Sequence, residues 1–258
     1  MKKLIFIDYD DTIRKSDGSV SNRVKEAILK HKNIGNIIVI ATSRPRYQAI
    51  DISKSVNGSC YIVSSNGAEI YDYKNNEVLY LESIDEDIVL KLIDYAYLYD
   101  VRLILSDSDI DYVTKNPYNE NQVILDKEMI KGKKIKQCMF IDQNVDGVLK
   151  IKNIVKSIDK VSIVNEISVN DTYYEKWFSV GSNNASKGNA LEFLSNYLGI
   201  SINDTISIGD DYNDISMFLK SGFSVCVANG VDEVKSHVNY VTLSCEEDGV
   251  ALYLENIL

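Results

Sequence analysis

Short apolar runs that stop abruptly at polar residues recur near both ends of the chain. The first is Leu4-Ile5-Phe6-Ile7, which leads directly into Asp8-Tyr9-Asp10-Asp11-Thr12. An apolar run of this length indicates a β-strand that is buried on both faces. Residues two apart on a strand point the same way, so we expect the Asp8 and Asp10 carboxylates to lie side by side. Two carboxylates so placed repel each other unless a cation lies between them or one is protonated.

The same pattern recurs, with helical patterns between the predicted strands. Three further apolar runs end at polar residues: Ile37 to Ala41 before Thr42-Ser43-Arg44-Pro45, Tyr61 to Val63 before Ser64-Ser65-Asn66-Gly67, and Thr205 to Ile208 before Gly209-Asp210-Asp211. Helical spacing of apolar residues predicts helices over residues 21–32, 188–198 and 212–220. Strands that alternate with helices in this way predict a parallel sheet with helices on both of its faces.

The middle of the chain differs from its ends. Between Glu82 and Asn184, strand-like runs such as Val101 to Leu105 mix with helical stretches, and no polar residues of the same kind follow the strands. We therefore predict an α/β protein with a Rossmann-like parallel-sheet core and an inserted α+β domain. The predicted boundaries are 1–81 for the first half of the core, 82–184 for the insertion and 185–258 for the second half.

The overall charge restricts the partners of the chain. The 258 residues carry a formal net charge of −10, which argues against nucleic acid and anionic membranes as partners. The apolar stretch after Lys2-Lys3 is too short for a signal peptide, and no segment approaches the ~20 apolar residues of a membrane span. We expect a cytoplasmic protein, monomeric or a small homo-oligomer. Its four cysteines are scattered, which favours reduced thiols over a zinc site.

The polar residues that follow the predicted strands together indicate a ligand-binding site. In an open parallel sheet, ligands bind beyond the carboxyl ends of the strands. The residues brought there by the predicted fold are carboxylates, hydroxyls, an amide and two cations: Asp8, Asp10, Thr12, Thr42, Arg44, Lys187, Asp210, Asp211, Asn213 and Asp214. Carboxylates beside cations and hydroxyls are what Mg²⁺-assisted phosphoryl transfer requires, because Mg²⁺ binds through one or two carboxylates and substrate phosphate.

These motifs, in this order, resemble those of the haloacid dehalogenase (HAD) superfamily, and of its Cof-type phosphatases in particular. The matching segments are Asp8-Tyr9-Asp10-Asp11-Thr12, Ala41-Thr42-Ser43-Arg44-Pro45, Ser65-Asn66-Gly67-Ala68, Ser186-Lys187-Gly188, the segment from Gly209 to Met217, and Glu247-Asp248-Gly249-Val250-Ala251. The segment between the core halves matches the α/β cap of that family in size and position. The resemblance implies a Mg²⁺-dependent phosphatase for a small phosphorylated substrate.

The resemblance also implies roles for individual residues. Asp8 is the nucleophile that becomes phosphorylated, and Asp10 is the acid and base beside it. The implied phosphate ligands are Thr42, Ser43, Arg44, Lys187 and Asn213. The implied metal ligands are Asp8, the Asp10 backbone carbonyl and Asp210. Asp11, Thr12 and Asp214 are implied as supporting residues, with Asp214 orienting Lys187 or completing the outer shell of the metal.

Two departures from the family pattern leave alternatives open. Asp11 and Ser43 stand where the family has glycine, and glycine allows positive φ or close approach of the backbone to phosphate. A catalytically weak protein that only binds a phosphorylated ligand is therefore one alternative. A phosphohexomutase built on the same core is another. The aromatic residues Tyr173, Tyr174, Trp177 and Phe178 in the insertion either contact substrate or fill the core of that domain.

Overall fold

The structure is a computed structural model that describes residues 2–165, 169–170 and 175–257. The chain divides into two compact units. One combines residues 1–81 with residues 186–258, and the other consists of residues 82–185. We call the first the core unit and the second the inserted unit.

The core unit is built on an eight-stranded sheet. In chain order its strands are β1 (Leu4–Ile7), β2 (Ile37–Ala41), β3 (Tyr61–Ser64), β4 (Glu69–Asp72), β5 (Glu77–Leu81), β13 (Thr205–Gly209), β14 (Phe223–Cys226) and β15 (Tyr240–Val241). Their spatial order is β15-β14-β13-β1-β2-β3-β4-β5, and the neighbours from β15 to β3 are all parallel. We call the side where these parallel strands end the carboxyl edge and the side where they begin the amino edge.

Helices cover both faces of this sheet. They are α1 (Asn22–Asn33), α2 (Arg46–Ser55), α5 (Lys187–Tyr197), α6 (Ile215–Phe218), α7 (Asp232–Lys235) and α8 (Gly249–Asn256). In β1, Ile5 and Ile7 pack in one apolar cluster, with residues of α1 and α8. Leu4 and Phe6 pack in another cluster, with residues of α5 and α6. The predicted fold class and the predicted burial of β1 on both faces are therefore confirmed.

The sheet extends beyond its parallel part. Strands β4 and β5 pair antiparallel with β3 and with each other, and the sequence analysis did not identify them. Acidic residues hide the strand pattern of β4, because Glu69 and Asp72 at its two ends are buried yet polar. Each is stabilised locally: Glu69 accepts a hydrogen bond from Ser64, and Asp72 accepts from the backbone N–H of Lys74.

One predicted helix is wrong in form. The segment 212–220 begins with a 3₁₀ turn, Tyr212–Asp214, and only Ile215–Phe218 is α-helical. The Asp214 side chain folds back and accepts the backbone N–H groups of Asp210 and Asp211, which tightens this turn. The helical spacing of apolar residues could not show this contact.

The inserted unit has its own sheet and its own core. Its strands are β6 (Leu103–Ser106), β7 (Asp111–Val113), β8 (Gln122–Ile124), β9 (Gln137–Asp142), β10 (Val161–Asn165), β11 (Val169–Asn170) and β12 (Glu175–Ser182), in the order β10-β12-β9-β6-β7-β8 with β11 beside β12. Its helices are α3 (Glu86–Leu98) and α4 (Val145–Val155). All of its strand pairs are antiparallel except β7 with β8.

The aromatic residues proposed for the insertion have different environments. Phe178 is fully buried and stacks on Phe140, with ring centroids 5.0 Å apart, so it belongs to the core of the inserted unit. Trp177 is half-buried. Tyr173 and Tyr174 lie outside the described residues. Within the described part of both units, no helix combines the length and the apolar character needed to cross a membrane.

Candidate active site

The carboxyl edge of the core sheet collects most of the predicted site residues. Asp8 directly follows β1, Thr42 follows β2 and Asp210 follows β13. Parallel strands end at the same side of a sheet, so residues from distant parts of the sequence come together there. Lys187 enters the same region from another direction, as the first residue of α5, whose N-terminus is capped by the Ser186 hydroxyl.

Lys187 forms the buried centre of the site. Its side chain is fully buried, and its ammonium donates hydrogen bonds to Asp8 and, over 2.6 Å, to Asp214. Burial alone would lower the pKa of Lys187, but the charges of Asp214 and Asp8 raise it above its ordinary value. Lys187 is therefore a fixed positive charge at neutral pH.

Asp214 serves mainly to orient its neighbours. One carboxylate oxygen accepts from Lys187, and the other accepts the backbone N–H groups of Asp210 (2.9 Å) and Asp211 (3.1 Å). Gly209 makes this approach possible, because a Cβ atom at that position would lie 2.3 Å from the Asp214 carboxylate. Both oxygens of Asp214 are thus already engaged within the protein.

A cation can be held beside these residues. Asp8, Asp210 and Asp214 each offer a carboxylate oxygen within 4.8 Å of the others, and Thr12 donates a hydrogen bond of 2.5 Å to Asp210. Burial raises the pKa values of both Asp8 and Asp210, and neighbouring carboxylates raise them further, while Lys187 lowers them. Three carboxylates around one ammonium leave excess negative charge, which suits a hard divalent cation such as Mg²⁺.

Two carboxylates of this cluster are left to hold the cation. Because both oxygens of Asp214 are engaged, Asp8 and Asp210 are the carboxylates best placed to hold the cation. The Asp10 side chain does not belong to this cluster. The sequence analysis assigned only the Asp10 backbone carbonyl to the metal, and that assignment stays a prediction.

Asp10 has a cation of its own. Both of its carboxylate oxygens accept hydrogen bonds from the Arg44 guanidinium, at 2.8 and 2.7 Å, and Arg14 lies 3.6 Å from one of them. These hydrogen bonds raise the pKa of Arg44 above its ordinary value. Each of the two carboxylates thus has a cation of its own: Asp8 pairs with Lys187, and Asp10 pairs with Arg44.

The other predicted phosphate ligands lie at the same edge. Thr42 is fully buried, and its hydroxyl accepts the backbone N–H of Arg44 at 3.2 Å. Asn213 donates from its side-chain amide to Asn66, at 2.8 Å. Ser43 is half-buried and does not have a positive φ, so the serine causes no backbone strain there.

Asp11 has a backbone conformation that explains why the family has glycine at this position. Its φ is +58°, in the left-handed region that glycine occupies most readily and that Asp tolerates better than most residues. Its side chain is exposed, and its carbonyl accepts a hydrogen bond of 2.7 Å from Asn229.

The turn after β3 is a part of the site to which the sequence analysis gave no role. Ser65, Asn66 and Gly67 have consecutive positive φ values of 49°, 57° and 92°, and all three are buried. A Cβ atom at Gly67 would lie 2.2 Å from the carbonyl group of Ser186, so the turn packs directly against the start of α5. The buried Ser65 hydroxyl has no hydrogen-bond partner among the described residues. The Ser-Asn-Gly composition was the available signal for such a turn.

The family model of haloacid dehalogenase-like hydrolases matches residues 5–254. The chain belongs to this family. The putative phosphatase YxeH of Bacillus subtilis is 30% identical over 272 residues, which cover 97% of this chain and 96% of the relative. The 5-amino-6-(5-phospho-D-ribitylamino)uracil phosphatase YitU of the same species is 25% identical, with 98% and 96% covered.

Solved structures agree on the fold. A haloacid dehalogenase-like hydrolase from Bacteroides thetaiotaomicron superposes with a TM-score of 0.84 and 22% identity, over 100% of both chains. Together with the curated relatives, most of which are named phosphatases, these matches identify the chain as a HAD-type phosphatase, a phosphoric monoester hydrolase. Such enzymes act on small phosphorylated substrates.

Proposed function

We propose that the chain is a Mg²⁺-dependent phosphatase that hydrolyses a small phosphorylated metabolite through an aspartyl phosphate on Asp8. The observation that carries this proposal is the buried Lys187 ammonium, which fixes the Asp8 carboxylate while Asp210 lies in the same carboxylate cluster. A fixed carboxylate beside fixed positive charge suits nucleophilic attack on a dianionic phosphoryl group.

The proposed reaction has two steps. In the first, an Asp8 carboxylate oxygen attacks phosphorus, the bond to the ester oxygen breaks, and Asp10 gives a proton to that leaving oxygen. In the second, water attacks the aspartyl phosphate, Asp10 takes up a proton from this water, and the bond between phosphorus and Asp8 breaks. When bound at Asp8 and Asp210, Mg²⁺ would neutralise part of the negative charge in both steps.

The other site residues hold the phosphoryl group or its neighbours. We propose that Lys187 and Thr42 contact the transferring oxygens, with Ser43 and Asn213 as further phosphate ligands. Arg44 takes part in two interactions in this scheme. It orients Asp10 through the two hydrogen bonds described above, and we propose that its guanidinium also binds the incoming phosphate.

The family and the charge of the chain support a proposal for the substrate class. We propose a sugar phosphate or a phosphorylated cofactor or its precursor, in line with the phosphorylated ribityl compound in the name of YitU. The inserted unit, residues 82–185, is the proposed cap domain of this phosphatase. The net charge of −10 supports small anions captured by local cations over nucleic acid or anionic membranes.

A direct assay tests the proposal. Purified protein should release p-nitrophenol from p-nitrophenyl phosphate when Mg²⁺ is present, and EDTA should abolish this activity. The Asp8→Asn variant should be inactive, whereas the matched variant Asp51→Asn, at an exposed position of α2, should retain full activity. Equal rates for wild-type protein and Asp8→Asn would overturn the proposal.

Product analysis separates the remaining alternatives. A phosphatase releases free phosphate from a sugar phosphate, whereas a phosphohexomutase returns an isomer with its phosphate retained. A protein that only binds phosphorylated ligands would do neither under any metal. A screen of phosphorylated metabolites for free phosphate would also identify the preferred substrate.

A further inference from the structure

A second cavity lies at the amino edge of the core sheet, away from the candidate active site. Its volume is about 540 Å³, within the range of small-molecule sites. Its walls include Lys3 before β1, the first residues of β14 and β15 (Phe223 and Tyr240), and Tyr253 and Asn256 on α8. We call it the aromatic cavity.

Three rings form one wall of the aromatic cavity. Phe223 and Tyr253 are nearly parallel, with ring centroids 6.2 Å apart and an interplanar angle of 12°. Tyr240 lies 5.8 Å from Tyr253 at an angle of 33°. Phe223 and Tyr240 are still partly exposed, so their faces are available to a further flat ring. Aromatic surfaces in this arrangement favour a planar aromatic ligand.

The Tyr253 hydroxyl of the aromatic cavity lacks a hydrogen-bond partner within the described part of the chain. Tyr253 is only 8% exposed, yet its hydroxyl makes no hydrogen bond with any described residue. Burial, and to a smaller extent Tyr240, raises the pKa of Tyr253 to about 12, so this hydroxyl stays protonated and able to donate. The Tyr253 hydroxyl reaches the solvent, so it is free to bond with water or with a ligand.

The charge of the lining residues favours one kind of planar ligand over another. Among the described residues that line the aromatic cavity, Lys3 is the only charged one, and its ammonium has no carboxylate partner among them. An anionic group on the ligand would therefore meet an available cation without opposition from a lining carboxylate.

We propose that the aromatic cavity binds a small planar aromatic molecule that carries one anionic group. The ring stacks against Phe223 and Tyr240, the anionic group faces Lys3, and the Tyr253 hydroxyl donates to a polar atom of the ligand. β1 and β13 begin beside this cavity and end at Asp8 and Asp210. The two sites are thus separated by roughly the length of one strand, about 13–17 Å.

Titration of the intact protein tests this site. The probes are indole-3-carboxylate and phenylphosphonate, neither of which is a phosphate ester, with indole as the uncharged comparison. We expect saturable binding of at least one anionic probe by calorimetry, and which of the two binds tells carboxylate from phosphonate recognition. Asp8→Asn should bind the probes as wild-type protein does, because the active site is not involved.

Two conservative variants locate the binding. Lys3→Gln should weaken the anionic probe about tenfold and leave indole unchanged, and Tyr253→Phe should weaken it about threefold. Both variants should keep wild-type circular dichroism and wild-type phosphatase activity. The proposal is overturned if neither anionic probe saturates wild-type protein, if neither variant changes the affinity, or if Asp8→Asn abolishes binding.

Discussion

The two edges of the core sheet differ in whether their polar side chains are paired with one another. At the carboxyl edge, charged side chains bind one another: Lys187 contacts Asp8 and Asp214, and Arg44 holds Asp10. At the amino edge, the heads of Lys3 and Tyr253 have no partner among the described residues. The same strands connect the two edges, so the difference arises from the residues placed at their ends.

The contrast shows how each edge could work. Catalysis needs charges that already point where the reaction will need them, and the hydrogen bonds at the carboxyl edge supply this orientation. A binding cavity instead gains affinity from groups that are still free to contact a ligand. The following predictions test this contrast, beginning with the largest expected effect.

Replacement of Lys187 by Met should have the largest effect. The change leaves Asp8 and Asp214 buried without their cation, which should destabilise the fold by about 3–5 kcal/mol at neutral pH. It should also lower kcat by at least about 10³-fold, because the transferring phosphoryl group loses a fixed positive charge. Urea unfolding and steady-state kinetics measure the two losses. Lys30→Met, at an exposed position of α1, is the control and should change neither; a Lys187→Met enzyme with a tenth of wild-type kcat would contradict the proposed role.

The stabilisation by Mg²⁺ should depend on pH. Burial raises the pKa values of Asp8 and Asp210 in the folded protein, so they favour the metal-free fold at low pH. This contribution to folding stability is lost as the pH rises from the usual carboxyl pKa range through the raised pKa values of Asp8 and Asp210. Mg²⁺ binds the ionised carboxylates, so the increase in Tm that it causes should grow over the same pH range.

Thermal unfolding at about pH 5.5 and about pH 8.5, with and without saturating Mg²⁺, measures this dependence. Asp210→Asn should remove most of the increase at the higher pH, and Asp51→Asn should leave it unchanged. An increase in Tm of equal size at both pH values would show that these carboxylates do not bind the metal.

A substitution in the turn after β3 should have an intermediate effect on kcat. Asn66→Gly keeps the backbone conformation at φ +57° but removes the acceptor for Asn213, so kcat should fall about tenfold with little change in stability. Asn76→Gly is the matched control, because Asn76 has a φ of +56° and accepts its hydrogen bond from Tyr71, which is not one of the proposed site residues. Equal kcat values for the two variants would remove Asn66 from the functional site.

The smallest effect is expected for Asp11→Gly, which restores the family residue. Glycine relieves the left-handed backbone at φ +58° but adds freedom to the unfolded chain, so the net change in stability should stay within about 1 kcal/mol. The side chain is exposed, so kcat should stay within about threefold of wild type. A rise of kcat well beyond this range would mean that Asp11 suppresses turnover in the natural protein.

Much of the fold could be predicted because its signals are local. The apolar runs of β1 and β2 depend only on neighbouring residues, and the structure agrees with both. Strand β4 was missed because Glu69 and Asp72 at its two ends leave an apolar run of only Ile70 and Tyr71, whereas the apolar run of β5, Val78 to Leu81, was not singled out.

Within the site, the sequence by itself determined which chemical groups are present and at which strand ends they lie. Asp8, Asp10 and Asp210 could be proposed because each follows a recognisable strand or motif. Only the tertiary structure decided which group pairs with which. Lys187 contacts Asp8 across 179 positions and Arg44 contacts Asp10 across 34, so no local pattern encodes either pair. Pairing depends on side-chain direction and burial after the strands have assembled, which is why only the folded chain shows that Asp8 and Asp10 contact different cations.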